Sequence, residues 1–140
     1  MRKSIVLAGV AAFLAVGLLS FTGMQDQKVG GPWDIPQEYV EMQNPHVDDG
    51  SLARLGRAGY ARHCRSCHGR NGEGDGPMAA QLETFPGDFT DADWHDKYND
   101  GEIYYMSFVG RDEMPNFEGT ITDIEERWAI VNYIRGMRQD

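Results

Sequence analysis

Two cysteines in 140 residues are too few for a scaffold built on disulfides. Basic residues are also short, with 13 Lys and Arg against 22 Asp and Glu and a net charge of −9. A nucleic-acid binder needs a basic footprint, so that class is excluded. There is no internal repeat, no low-complexity block and no stretch of sustained two-residue alternation, which argues against a sheet. The length leaves room for one domain rather than two. Aliphatic side chains are thin: residues 51–140 hold three Leu, five Ile and two Val. That is little for a small domain that must bury a core, and such domains commonly carry a staple or a bound group. Glycine, at 17 residues, is plentiful.

The first residues have the layout of a targeting segment. Arg2 and Lys3 precede an apolar run from Ile5 to Leu19, and polar sequence begins near Gln25. No Ala-x-Ala triplet follows Leu19, and Ser20 and Thr22 make a poor substitute. Residues 1–23 are therefore expected to be a signal peptide or, if uncleaved, an N-terminal membrane anchor; Ile5–Phe21 lies at the lower limit for spanning a bilayer. Either reading exports the remainder, to the periplasm or the outer face of the cytoplasmic membrane. Beyond residue 23 the net charge is −11, which predicts attraction to a basic partner with salt-sensitive rates. Residues 24–50 read as a linker or extension: Pro32, Pro36, Pro45, Gly30, Gly31 and Gly50 interrupt them and no helical period appears. Trp33, Tyr39 and Val40 favour some packing there.

From residue 51 to 140 the pattern is that of a helical domain. Leu52, Leu55, Gly56, Gly59 and Tyr60 form one stripe, with Asp49 or Ser51 as a cap, and predict a helix over about 51–64. The glycines at 69, 72, 74 and 76 predict a loop, and Pro77 is placed to open a short helix through Glu83. The stretch 85–96 reads as irregular. A helix over about 101–109 is stopped by Gly110, and a second loop runs through Met114-Pro115-Asn116-Phe117. Thr122-Asp123-Ile124-Glu125 reads as a capping box opening the last helix, whose apolar face is Ile124, Trp128, Val131 and Ile134. The expected fold class is all-α with long loops.

Cys64-Arg65-Ser66-Cys67-His68 is a C-x-x-C-H run, the pattern of c-type haem attachment. Two thiols at this spacing match the two vinyl groups on one porphyrin edge, and the next residue sets an imidazole over one face of the iron. Three other readings compete. Zinc requires further ligands at paired spacing, which the sequence does not offer. A thioredoxin-like pair requires a βαβ context. A Cys64–Cys67 disulfide leaves His68 and the glycine loop without a role. The glycines are not a phosphate loop, because no Gly-Lys-Ser/Thr follows.

From Ser51 to Met137, with the run Cys64-Arg-Ser-Cys-His-Gly-Arg-Asn-Gly-Glu-Gly-Asp-Gly-Pro77, the chain resembles monohaem class I c-type cytochromes. The resemblance implies three to four helices and long loops wrapped around one covalent haem c. It implies thioethers at Cys64 and Cys67 and His68 as one axial iron ligand. The family places its other axial ligand, a Met followed by Pro, in the loop before the last helix, which points to Met114. Met78, Met106 and Met137 are the other methionines weighed, and His95 is the alternative sixth ligand. The resemblance also assigns the Pro77 carbonyl as acceptor for the second ring nitrogen of His68. It crosses Gly56 and Tyr60 with the last helix near Ile130 and Tyr133. Trp94, Tyr98 and Arg111 are candidate propionate partners, and His46 and His63 read as solvated or capping residues.

A haem iron with His and Met both bound has no open position, so one-electron transfer is the expected function, without enzymatic turnover of its own. The expected setting is an exported respiratory chain, as a carrier or as a cytochrome subunit of a membrane complex. The expected donor is a quinol-oxidising complex or dehydrogenase, and the acceptor an oxidase or another cytochrome. A haem enzyme or gas sensor with an open iron site is the alternative, and it requires that Met114 not bind.

Overall fold

A computed structural model describes residues 30–140; the expected signal or anchor and residues 24–29 lie outside the described residues. The elements in order are α1 (Gln37–Val40), a 3-10 turn Gly50–Leu52, α2 (Ala53–His63), α3 (Arg65–His68), a 3-10 turn Ala79–Gln81, α4 (Ala92–Lys97), α5 (Asp100–Phe108) and α6 (Ile124–Arg135). Among the described residues there are two isolated bridges and no named strand. The all-α expectation therefore holds. No helix among the described residues is long and apolar enough to cross a membrane.

The frame is the crossing of α2 and α6. Asp49 accepts a hydrogen bond from the Ser51 amide and starts the turn that leads into α2. Gly56, Gly59 and Tyr60 are the buried residues of α2. A Cβ at Gly56 would run into the Ala129 carbonyl, so only glycine lets the two backbones meet there. One turn on, the Tyr60 ring packs on Tyr133 at 5.2 Å between centroids. The expected crossing near Ile130 and Tyr133 is therefore present. The Tyr60 hydroxyl donates to the Gly69 carbonyl at 2.9 Å, fastening α2 to the turn that follows His68.

Sequence and structure part at the helix starts. Asn99 and Glu102 form a reciprocal capping box on α5, at 3.0 and 2.7 Å, which the sequence reading passed over. On α6 the cap is Asp123, accepting from Glu125 N at 2.9 Å, instead of the expected Thr122/Glu125 box. Asp91 caps α4, a helix inside a stretch read as irregular because of Pro86 and Gly87. The expected helix from Pro77 shrinks to a turn and Ala79–Gln81. On α6 Trp128, Val131 and Ile134 are buried as expected, but Ile124 is 54% exposed and Arg127 is buried in the first turn.

Residues 30–50 lie along the domain. Tyr39 packs on Tyr104 and Tyr105, Trp33 meets Tyr105 edge-on, and Asn44 bonds both Asp100 and Asn132. The core itself is aromatic as much as aliphatic. Tyr60, Phe89, Tyr104, Phe108 and Trp128 join Ile103, Ile121, Ile130, Val131 and Ile134. Large rings supply part of the volume that the short aliphatic count left open.

Two outcomes follow from the crossing. Gly56→Ala forces α2 and α6 apart and is expected to lower holoprotein stability by about 1–3 kcal/mol, read from the denaturant midpoint. Burial raises the Tyr60 phenol above its ordinary range. A raised folded pKa gives stability that is complete below the unfolded value of about 10 and is lost as pH rises above it. Tyr60→Phe is expected to lose about 1 kcal/mol at neutral pH and to flatten the alkaline decline, measured by melting across pH.

Candidate functional site

Helix α2 ends at His63, and Cys64 turns the chain into the single-turn helix α3. The Cys64 amide still bonds Tyr60 O at 2.9 Å, and His68 N bonds Cys64 O at 3.0 Å. This places both cysteines and His68 on one short turn carried by α2. Cys64 is buried, Cys67 is half-buried, and both are free thiols. The disulfide reading is thus not realised. Among the described residues no group of three or more His, Cys, Asp and Glu side chains is placed to hold a metal ion.

The glycine loop folds back onto this turn. Gly74 N bonds His68 O, Gly76 N bonds Cys67 O and Met78 N bonds Ser66 O, at 2.9, 3.1 and 2.8 Å. These bonds occupy the carbonyls that a four-residue helix leaves open at its end. A Cβ at Gly76 would meet the Ser66 carbonyl, so the glycine there serves backbone-on-backbone packing. Pro77 follows on the surface, at the start of the turn.

His68 is 7% exposed. Burial pulls its pKa down to about 4, so the imidazole is neutral at physiological pH. Its ring stacks on Phe89 at 4.5 Å and 19°. Its Nδ1 is buried and has no hydrogen-bond partner, so the expected bond to the Pro77 carbonyl is not made here. Stacking on Phe89, instead of that bond, accompanies the orientation of the ring. Burial also pushes the Cys64 thiol up to about 12, so it stays protonated. A neutral, buried imidazole on one short turn with two free thiols suits covalent haem with one axial histidine. The residues present fit the group that the motif implies.

Met114 lies in the turn between α5 and α6 and is half-buried. Its amide bonds Arg111 O at 2.8 Å, closing the Arg111–Met114 bridge. Three anchors hold this loop. Phe117 N bonds Phe108 O at 2.8 Å, and the Phe117 ring meets His63 edge-on at 5.9 Å. Since His63 precedes Cys64, the Met114 loop borders the attachment turn. Glu113 accepts from the amides of Glu83 and Thr84, which hold its carboxyl below the usual range. Arg127, 7% exposed, donates to Ile121 O, Glu118 O and the Tyr104 hydroxyl, at 2.6, 2.6 and 2.9 Å. The sequence reading missed Arg127. Its one signal was a cation at i+3 from Ile124 and i−4 from Val131, on the stripe taken as apolar.

The other candidates fall away from ligation. His95 is buried with Nε2 2.7 Å from Phe89 O, an acceptor only, so Nε2 carries the proton. Its Nδ1 then accepts from Arg135 Nη1 at 3.3 Å. Both nitrogens are used, which removes His95 as the sixth ligand. Met106 is a core residue, Met78 is exposed, and Met137 packs against the core cluster. His63 is half-buried against Phe117, and His46 lies 3.9 Å from Asp49. Arg111 is not a free propionate partner. It donates to the Pro32 and Gly31 carbonyls at 2.7 and 2.5 Å and covers Trp33 at 4.0 Å, pinning the N-terminal extension. Trp94 and Tyr98 pack on each other, and Trp94 on Phe89.

The family model described as cytochrome c oxidase, cbb3-type, subunit III, matches residues 51–134. A solved structure titled KustC0563 c-type cytochrome is 32% identical, with a TM-score of 0.54 over 60% of this chain and 98% of that one. No curated protein matches the chain. A c-type cytochrome domain carries electrons through a covalently held haem, and its members are generally carriers instead of enzymes. With the C-x-x-C-H turn on α3 and the α2–α6 crossing behind it, the chain belongs to this family of c-type cytochromes and has the class I fold.

Proposed function

We propose that this chain passes single electrons through one c-type haem with His68 and Met114 as axial ligands, in an exported respiratory chain. The observation that carries the reading is the buried, neutral His68 on one short turn with two free thiols. One haem is the expected load, since the sequence contains one C-x-x-C-H run. Haem held there supplies a one-electron ferric/ferrous couple, at a potential raised by methionine ligation. The protein's part is positional. Helix α2 carries the attachment turn, the glycine loop closes it, and Arg127, Glu113 and Phe117 anchor the segment that contains Met114. With both residues as ligands the iron would have no position for oxygen or substrate, which favours transfer over catalysis.

The setting we propose is the periplasm or the outer membrane face, reached through residues 1–23 as signal or anchor. The donor is a quinol-oxidising complex or dehydrogenase, and the acceptor an oxidase or another cytochrome. The chain acts as a mobile carrier or as the cytochrome subunit of a membrane complex; residues 30–50, packed on the domain, suit both.

Absorption spectra of the purified protein test the ligation. A low-spin spectrum with a Met-to-iron charge-transfer band, unmoved by carbon monoxide in the reduced form, is expected; a high-spin spectrum contradicts it. Met114→Ala is expected to lose that band and bind carbon monoxide, whereas Met114→His stays six-coordinate at a lower potential. Arg127→Leu leaves Glu118 O, Ile121 O and the Tyr104 hydroxyl without their donor. It is expected to cost about 2–3 kcal/mol of stability and to weaken the charge-transfer band, seen by melting and by the same spectra.

A further inference from the structure

The turn that carries Met114 is held from two sides. The Met114 amide bonds back to Arg111 O at 2.8 Å. Between them Asp112 lies in the left-handed region, at φ 49°, a conformation that a non-glycine residue adopts at a cost. Such a turn keeps its shape only where its surroundings fix it. Glu113 is fixed to the amides of Glu83 and Thr84, at 3.0 and 2.9 Å. Arg111 reaches the other way. It donates to the Gly31 and Pro32 carbonyls at 2.5 and 2.7 Å, and its guanidinium covers the Trp33 ring at 4.0 Å. Its ion pair is with the exposed Asp112, at 3.9 Å, too long for a hydrogen bond. Trp33 in turn meets Tyr105 edge-on and packs against the core cluster. Gly30 closes the group: a Cβ there would stand 3.3 Å from Thr84 and 3.4 Å from Arg111. Residues 30–33, 83–84 and 111–114 therefore meet at one place. The family model matches from residue 51, so residues 30–33 lie outside the part it describes.

We propose that residues 31–33 are a strap that holds the Met114 turn, and that Arg111 is the positioning residue through which the strap acts. The proposal rests on Met114 as an iron ligand. Arg111 works from both of its ends: its side chain grips the strap while its carbonyl receives the Met114 amide. Two carbonyls and one ring face suit a guanidinium, whose fork supplies two donors and whose plane stacks on an indole. A lysine keeps the charge and loses the fork. The other fixed point of the extension is a separate one: Asn44 bonds Asp100 and Asn132, so the two can be cut independently. Coupling between strap and ligand is reciprocal. Lifting residues 31–33 weakens the hold on Met114 by the factor by which a bound Met114 tightens the strap.

The test is imidazole binding to the ferric holoprotein, followed by stopped-flow absorption in the Met-to-iron charge-transfer band. An imidazole nitrogen gives its electron pair to the iron as the Met114 sulfur leaves, with no change of oxidation state. At saturating imidazole the rate constant reports how often the Met114 turn lets go. It is expected to rise about tenfold in Trp33→Ala and in Arg111→Lys, and to stay within about twofold of wild type in Trp33→Phe. Asn44→Ala is expected to melt earlier yet keep the wild-type rate constant. Unchanged rate constants in Trp33→Ala and Arg111→Lys overturn the strap. An equal rise in Asn44→Ala also overturns it, because general loosening then accounts for the effect. Both results leave His68/Met114 ligation intact. A wild-type ferric spectrum without the charge-transfer band fails that ligation, and the proposal with it.

Discussion

Helices α2 and α6 meet with Gly56 against the Ala129 carbonyl and Tyr60 beside Tyr133, and the position of Cys64, Cys67 and His68 follows from that contact. Backbone approach of this kind tolerates no Cβ at Gly56, so the crossing has one register. That register decides where α2 ends, and α2 ends at His63. Cys64, Cys67 and His68 then fall on a turn with no freedom of its own, since Tyr60 holds Gly69 and the glycine loop takes up the free carbonyls. The site inherits its rigidity from a helix crossing some residues away.

The second half of the site is held differently. Met114 sits on a loop without regular structure, and charged groups fix that loop to its surroundings. Arg127 spends three donors on Glu118, Ile121 and Tyr104, and Glu113 takes two amides from the 83–84 segment. A guanidinium so deeply buried is tolerated because its donors are matched by acceptors. Arg135 repeats the device on the other end of α6, bonding Asp100, the His95 carbonyl and the Tyr98 carbonyl. Helix α6 thus contributes an apolar face to the core and two arginines that tie loops to it.

The attachment turn was legible in the sequence because its chemistry is local: five consecutive residues state it. The α2 stripe and the Gly56/Tyr60 crossing were legible because helical periodicity and the family resemblance agree. Helix α4 was not, because Pro86 and Gly87 dominate the reading of a segment whose true start signal, Asp91, comes later. On α6 Trp128, Val131 and Ile134 face inward as the period implies, but hydrophobicity alone places Ile124 inside and Arg127 outside. What reverses them is a set of backbone acceptors at residues 118 and 121 that no local pattern announces. The same holds for Arg111, whose partners at Gly31 and Pro32 are some eighty residues away. The His68 Nδ1 bond to Pro77, expected from the family, is absent where Phe89 stacks on the ring.

Covalent haem at Cys64 and Cys67, with His68 beside it, is what the fold is arranged to hold. The most direct measurement is the intact mass of the protein produced in a host with haem-attachment machinery, together with acid-acetone extraction. One haem per chain that stays with the polypeptide on extraction is expected. A chain that carries the mass of the bare polypeptide, or whose colour passes into the solvent, would contradict it.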